Sequence, residues 1–287
     1  MNDAMPLEAM PYQRIDPRRV RHSLRRAVAA TREDPLATIG GLLAERLDET
    51  RLQPRAILEI TRRSGPLTER IEERYPEARV VTARLTLPDG ATGSRWRLPW
   101  RSRPARVTVN PSRLPFAERR FDLVVANMTL HWCADPLIAL REMRRVLAPG
   151  GALFLCCAGA GTLRELKTAL EETDRERYGR TWPRVPDFPS PHLLGEMLAK
   201  AGFAQPVADR DRVRLTLPDP FALLTALRDM GAVNPHRQRP QGLMGKGYPR
   251  QLATVYARQF GAREGSIPVT LELLFGHAWH STRGSDR

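Results

Sequence analysis

The sequence is short of cysteine and of long apolar runs. Its three cysteines form neither an even-numbered disulfide framework nor a Cys-x-x-Cys metal clamp. No His-x-x-Glu-His pattern and no spacing of two histidines with one carboxylate indicates a metal, so we predict none. No apolar run reaches the roughly 18 residues that a membrane-spanning helix needs, and the first residues lack a signal-peptide pattern. We therefore predict no transmembrane segment, and a cytoplasmic location or one peripheral to a membrane complex.

Lysine is also scarce. Only three of the 46 basic residues are lysine, and the others are arginine. The formal net charge is +14, and a charge of this size attracts acidic partners whatever its origin. The arginines are scattered along the whole chain. A codon bias towards arginine and a functional basic surface both explain this distribution. We predict no specific nucleic-acid site, and the stretch Arg18 to Arg26 is the first candidate for a basic surface.

Residues 1–50 are predicted to form an N-terminal arm and a helical lid. Val20, Leu24 and Ala27 recur at helical spacing, and arginines occupy much of the remaining helix surface. Such a basic amphipathic helix is either a solvated face or an element that covers a site or docks a partner. Residues 51–287 are predicted to form one α/β domain.

The clearest pattern lies between Leu114 and Phe154. Two short apolar runs, 121–126 and 152–157, flank a segment with helical periodicity that begins at Asp135-Pro136 and stops at 149–151. A strand, a crossover helix and a parallel strand give this pattern. The buried side of the helix is predicted from its leucines: Leu137, Leu140 and Leu147.

Other apolar runs predict the remaining strands and helices. The expected strands are 56–60, 79–83, 106–109, 207–217 and a last strand ending near Trp279. Between them, Thr162 and Glu165 form the pattern of a capping box for a helix running towards Arg175. Strands that alternate with helices predict a parallel sheet.

Several motifs in these elements are typical of a known family. They are Leu114-Pro115-Phe116, Phe121-Asp122-Leu123-Val124, and Arg145-Val146-Leu147 followed by Pro149-Gly150-Gly151. In these motifs the chain resembles the class I S-adenosylmethionine (SAM)-dependent methyltransferases. The resemblance implies a Rossmann-like α/β fold, with a seven-stranded, mostly parallel sheet of strand order 3-2-1-4-5-7-6 and helices on both faces.

Two narrower motifs, Leu130-His131-Trp132 and the run from Gly161 to Leu166, resemble one branch of that family. The branch contains the malonyl-acyl-carrier O-methyltransferase of biotin synthesis and the complex I assembly factor that hydroxylates an arginine, and the second is the closer match. The resemblance implies SAM-dependent transfer to a protein or acyl-carrier substrate, together with a role in respiratory complex I assembly and a subunit of that complex as partner.

The resemblance places the cofactor contacts at the ends of the first strands. Glu59 and Gly65 match the family pattern D/E-x-G-x-G-x-G, whereas Thr61 and Arg63 occupy the places of its first two glycines. Small residues are needed there because backbone amides must approach the ligand closely. The side chains of Thr61 and Arg63 add bulk at that place.

Arg84 occupies the place of the acid that accepts both ribose hydroxyls in the family. Arginine carries five donors and no acceptor, so it cannot reproduce that contact. Asn110 stands where the family has an acidic residue, and its side-chain oxygen is expected to accept a hydrogen bond from the adenine amino group. If SAM binds, Glu59, Gly65, Arg84 and Asn110 are the predicted cofactor-binding residues.

Asn127 and His131 follow the fourth strand, which in the related families borders cofactor and substrate. We predict that Asn127 contacts the cofactor and that both residues border the reacting centre. His131 is a candidate base near neutral pH, or else a packed partner of Trp132. The alternative to an enzyme is a methyltransferase-fold pseudoenzyme, which has lost SAM binding and serves as a scaffold or assembly factor.

Overall fold

The computed structural model describes residues 15–26, 35–62, 65–85, 105–240, 245–261 and 266–282. Helices separate most of its strands along the chain, as the apolar runs predict. The elements are α1 (Pro17–Arg26), α2 (Pro35–Asp48), β1 (Ala56–Thr61), α3 (Pro66–Arg74), β2 (Arg79–Leu85), β3 (Ala105–Val109), β4 (Phe121–Asn127), α4 (Pro136–Val146), β5 (Leu147–Ala158), α5 (Arg164–Tyr178), α6 (Pro191–Lys200), β6 (Ala204–Leu217), α7 (Pro220–Asp229), α8 (Tyr248–Phe260) and β7 (Ile267–Trp279).

The strands form a seven-stranded sheet in the order β3-β2-β1-β4-β5-β7-β6. Strand β1 pairs in parallel with β2 and β4, and β4 pairs in parallel with β5. The inner strands β1, β4 and β5 are buried over most of their length, because a parallel sheet covered on both faces needs nearly continuous apolar strands. The predicted Rossmann-like fold and strand order are confirmed.

Two compact units make up the chain. One comprises residues 30–157, 189–210 and 274–287, and it contains strands β1 to β4 with helices α2, α3, α4 and α6. The other comprises residues 1–29, 158–188 and 211–273, and it contains α1, α5, α7 and α8. The two helices of the N-terminal segment 1–50 therefore fall in different units, and the lid function of that segment stays a prediction.

The unit of residues 1–29, 158–188 and 211–273, which we call the helical unit, has an apolar core of its own. Leu166 and Leu170 of α5 and Leu252 and Tyr256 of α8 belong to one buried cluster. The hydroxyl of Tyr256 donates to the Pro268 carbonyl at 2.8 Å, so this buried ring keeps a polar partner.

Helix α4 differs from its prediction in the residues that it buries. Leu140 is fully buried, but Leu137 is only half-buried, and Leu147 already belongs to β5. The buried residues of the helix are Pro136, Ala139, Leu140, Met143 and Val146. Its beginning is as predicted, since the Asp135 carboxylate accepts from the Ile138 amide at 3.1 Å.

The predicted capping box of α5 is wrong. The helix begins after Leu163, which adopts a left-handed conformation and makes no side-chain cap bond. The Thr162 hydroxyl instead donates to the Glu272 carbonyl and accepts from the Glu272 amide. The Glu165 carboxylate likewise accepts from the amide and hydroxyl of Thr270. Strand β7 competes for both side chains because it offers them buried backbone groups that need partners.

Two predicted features fall outside the described residues. These are Ala27 of the first helix and Arg63 after β1. Over the described ranges, no helix is long and apolar enough to cross a membrane. Cys133, Cys156 and Cys157 are all buried.

The contact between α2 and α3 predicts opposite effects at two neighbouring glycines. A Cβ at Gly40 would lie 3.0 Å from the Cβ of Leu67 and 3.4 Å from Nδ2 of Asn127, whereas a Cβ at Gly41 meets no atom within 4 Å. Gly40→Ala should destabilise the fold by about 1–3 kcal/mol through overpacking. Gly41→Ala should stabilise it by about 0.5–1 kcal/mol, because alanine is the better helix former. Urea unfolding measures both, and a Gly40→Ala variant as stable as Gly41→Ala would contradict this packing.

Candidate functional site

A row of side chains lies at the carboxyl end of the sheet, where β1 and β4 are neighbours. Thr61 is in register with Arg84 on one side and with Asn127 on the other. In-register residues of parallel strands point to the same face. Thr61 and Asn127 are 4% and 6% exposed, and Arg84 is exposed. Such a place, where neighbouring strands continue in opposite directions along the sheet, is where α/β folds bind ligands.

Glu59 lies two residues before Thr61 and is almost completely buried. The Thr68 hydroxyl is 3.0 Å and 2.8 Å from its two carboxylate oxygens, and the Thr82 hydroxyl is 3.3 Å from one of them. Burial raises the pKa of Glu59 to about 7, although both hydroxyls act in the opposite direction. Sequence reasoning missed the two threonines. Thr68 carried a signal, because a threonine three residues after Gly65, at a helix start, has the spacing of a capping residue.

Gly65 begins α3 in an extended conformation, with φ of −178°, that any residue can adopt. A Cβ at this position would meet no atom within 4 Å. Its amide donates to the Thr68 hydroxyl at 3.2 Å. The local backbone therefore does not require glycine, and the role of Gly65 in cofactor binding stays a prediction.

Asn110 uses its polar groups within its own turn. Its side-chain oxygen accepts from the Ser112 amide at 3.0 Å, and its carbonyl accepts from the Arg113 amide at 2.9 Å. The oxygen that was expected to accept from an adenine amino group is thus already bound to the protein. This oxygen retains a second lone pair, so the contact stays a prediction.

His131 lies in a single 3-10 turn, Leu130–Trp132, after β4. Its ring packs against Trp132 with centroids 5.0 Å apart. Burial lowers the pKa of His131 to about 3, and the positive charge of Arg62 acts in the same direction. A histidine with so low a pKa is neutral and weakly basic near neutral pH. The geometry therefore favours the packed pair, while sequence reasoning missed the influence of Arg62.

Asn127 and Thr129 bring buried polar atoms to the end of β4. Among the described residues, neither Oδ1 of Asn127 nor Oγ1 of Thr129 has a hydrogen-bond partner. Met128 between them has a φ of 50°, and its amide donates to the Cys156 carbonyl at 2.9 Å. Buried polar atoms without partners are uncommon in proteins, so both atoms are candidates for a hydrogen bond to a bound water or to a polar ligand.

Asn127 and Thr129 supply unsatisfied polar atoms at the end of β4. The resemblance assigns Arg84 to the ribose hydroxyls and Thr61 to the first glycine position, and both assignments stay predictions. Arginine has no acceptor for those hydroxyls, and Thr61 is buried and β-branched. At the positions so assigned, the residues do not fit the ribose of SAM. In the described ranges, no group of three histidine, cysteine or acidic side chains could hold a metal.

The helical unit contains a separate cavity of about 190 Å³ that the sequence patterns did not predict. Three of its four charged side chains, Lys167, Arg184 and Asp187, are already paired. The Lys167 ammonium lies 2.9 Å from the Asp187 carboxylate, and Arg184 forms two bonds of 2.6 Å and 2.7 Å to Asp174. The lining residues are Lys167, Glu171, Thr181, Trp182, Pro183, Arg184, Val185 and Asp187.

The buried carboxyl of Glu59 predicts a pH dependence of stability. Its pKa is about 7 in the fold and near 4.5 in the unfolded chain. The unfolded chain therefore loses this proton first, so the free energy of unfolding falls as the pH rises from about 4.5 to about 7. The loss is on the order of 3 kcal/mol. Glu59→Gln should abolish this part of the slope in urea unfolding between about pH 5 and about pH 8.

Glu73→Gln, at an exposed position of the same helix α3, is the matched control and should keep the slope of the wild type. An unchanged slope in Glu59→Gln would show that Glu59 is ionised throughout this pH range.

Comparison with known proteins identifies the family. The family described as "Methyltransferase domain" matches residues 72–155. A malonyl-acyl-carrier protein O-methyltransferase of Halorhodospira halophila is 34% identical over 271 residues, which cover 93% of this chain and 89% of the relative. The enzyme named malonyl-acyl-carrier protein O-methyltransferase 1 of Coxiella burnetii is 33% identical over 248 residues, with coverages of 86% and 81%.

Among solved structures, the YcgJ protein of Bacillus subtilis matches with a TM-score of 0.52 at 15% identity, over 85% of this chain and 98% of the other. That likeness concerns the fold alone. The comparisons do not support the closer resemblance to the arginine-hydroxylating assembly factor. The chain belongs to the class I SAM-dependent methyltransferases, in the branch of the malonyl-acyl-carrier protein O-methyltransferases.

Proposed function

We propose that this chain is an O-methyltransferase that acts on a malonyl group carried by an acyl carrier protein. The similarity to enzymes of that name supports the proposal, because it extends over about nine-tenths of both chains at 34% identity. It therefore includes both compact units. The expected role in complex I assembly and the respiratory-complex partner receive no support from these relatives.

The family implies SAM as the methyl donor, and the substitutions at the sheet edge predict a low affinity for it. Arg84 replaces an acceptor of the ribose hydroxyls, and each lost hydrogen bond to a charged group costs about 1.5–3 kcal/mol. That range corresponds to a factor of about ten to a hundred in affinity. Methyl transfer depends chiefly on proximity and alignment, so the weak basicity of His131 does not argue against it.

A second candidate function is binding of the acylated carrier without methyl transfer. The exposed Arg84 and the buried Thr61 favour it, because they occupy the two positions at which the family pattern requires an acid and a glycine. The two functions share the carrier-bound substrate and differ in whether the malonyl carboxylate is esterified.

Mass spectrometry of a malonylated carrier incubated with the protein and SAM separates the two functions. We expect methylation of the malonyl group at a SAM concentration well above that sufficient for typical methyltransferases. Binding of the carrier without any methylation would support the second function. Absence of both binding and methylation would contradict the proposal as a whole.

The affinity for SAM should respond to Arg84. Arg84→Asp restores an acceptor at the end of β2, so calorimetry should show SAM binding that is about ten- to a hundredfold tighter than in the wild type. Arg141→Asp makes the same charge change at an exposed position of α4 and should leave the affinity unchanged. Equal affinities in both variants would show that Arg84 does not occupy the ribose position.

A further inference from the structure

The beginning of α1 is attached to the segment 231–239 within the helical unit. Ile15 forms an antiparallel bridge with His236, and the Asp16 amide donates to the Pro235 carbonyl at 2.8 Å. The Ser23 hydroxyl donates to the Gly231 carbonyl at 2.5 Å. These contacts place the arginines of both segments together. The arginine cluster, as we define it, consists of Arg18, Arg19, Arg237 and Arg239.

Backbone carbonyls hold three of these guanidinium groups. Arg19 Nε donates to the Asn234 carbonyl at 2.9 Å, and Arg237 Nε donates to the Ile15 carbonyl at 3.2 Å. The third bond joins Arg239 Nη1 to the His236 carbonyl at 3.1 Å. A carbonyl oxygen accepts a hydrogen bond but carries no net charge, so these bonds orient the arginines without neutralising them.

Acidic side chains compensate little of this charge. Among the described residues, Asp16 alone lies within ion-pair distance of the cluster, at 4.0 Å from Arg239. Its carboxylate also accepts from the amides of Arg18 and Arg19 at the helix start. Burial and the charge of Arg239 lower the pKa of Arg19, which indicates that two guanidinium groups repel each other there. Arg18, Arg19 and Arg237 are exposed.

We propose that the arginine cluster is the docking surface for an acidic face of the acyl carrier protein. This assignment rests on the proposed function, which supplies the carrier as partner. Oriented guanidinium groups form directed bonds with carboxylates. The carbonyl groups that orient these arginines lie on two chain segments. This arrangement suits several carboxylates of a protein better than one phosphate group. The net charge of +14 adds long-range attraction to the same partner.

The test measures binding of the malonylated carrier protein to the full chain at low and high salt. Arg19→Glu combined with Arg237→Glu should weaken binding at least tenfold at low salt and much less at high salt, where charges are screened. Arg18→Glu should weaken binding in the same direction. The Arg18 side chain is exposed and is not one of the three that carbonyls hold. This variant therefore still tests the surface if the double variant loses the attachment of α1.

Arg250→Glu, at an exposed position of α8 in the same unit, makes an equal charge change and should bind like the wild type. Equal binding by the wild type and the cluster variants would overturn the docking surface but not the proposed function. Failure of the wild type to bind the carrier would overturn the proposed function itself. Binding of a DNA duplex as tight as that of the carrier, lost in the same variants, would show a general polyanion surface and would also overturn the assignment.

Discussion

The hydrogen bonds of the buried Glu59 carboxyl connect the elements that form the candidate site. Thr68 brings the start of α3 to this carboxyl and Thr82 brings β2, while Glu59 itself belongs to β1. A buried carboxyl is tolerated only where hydrogen bonds satisfy it. The start of α3 is therefore held against β1 and β2. It is held by side chains that a ligand need not touch, which separates the packing of these elements from their capacity to bind a cofactor.

This separation lets a chain keep the family's fold when the residues at the predicted ligand positions change. The residues inside the sheet stay apolar because both faces are covered, and they determine the register that aligns Arg84, Thr61 and Asn127. The side chains at the strand ends are less constrained by packing, and Arg84 is exposed. Substitutions at such exposed positions therefore cost the fold little. Membership of the family therefore does not determine whether the cofactor site is intact.

Much of the fold could be predicted from the sequence because apolar periodicity records burial directly. The unit β4-α4-β5 is the best example, since Asp135-Pro136 and the run 149–151 mark both ends of its helix. The predictions failed where distant backbone groups compete for a side chain. Thr162 and Glu165 have the spacing of a capping box, yet both bind β7, more than 100 positions away in the chain.

The candidate site was predictable in position but not in chemistry. Parallel strands bring Thr61, Arg84 and Asn127 to one edge, and this follows from the strand order alone. The low pKa of His131 depends on burial and on Arg62, neither of which a linear motif expresses. In the same way, no sequence motif predicts the hydrogen bond that the Asn110 side-chain oxygen accepts from the Ser112 amide.

The arginine excess is best understood from how individual arginines are paired. Arg145 contacts the Glu142 carboxylate and the carbonyls of Leu114 and Phe116, and Arg184 contacts the Asp174 carboxylate. Such arginines serve the fold, because a guanidinium can bind a carboxylate and several carbonyls at once. A codon bias supplies arginines of every kind and does not decide their use. What distinguishes a functional basic surface is therefore a local excess of charge over carboxylates, with the guanidinium groups oriented by neutral carbonyls, rather than the net charge of the chain.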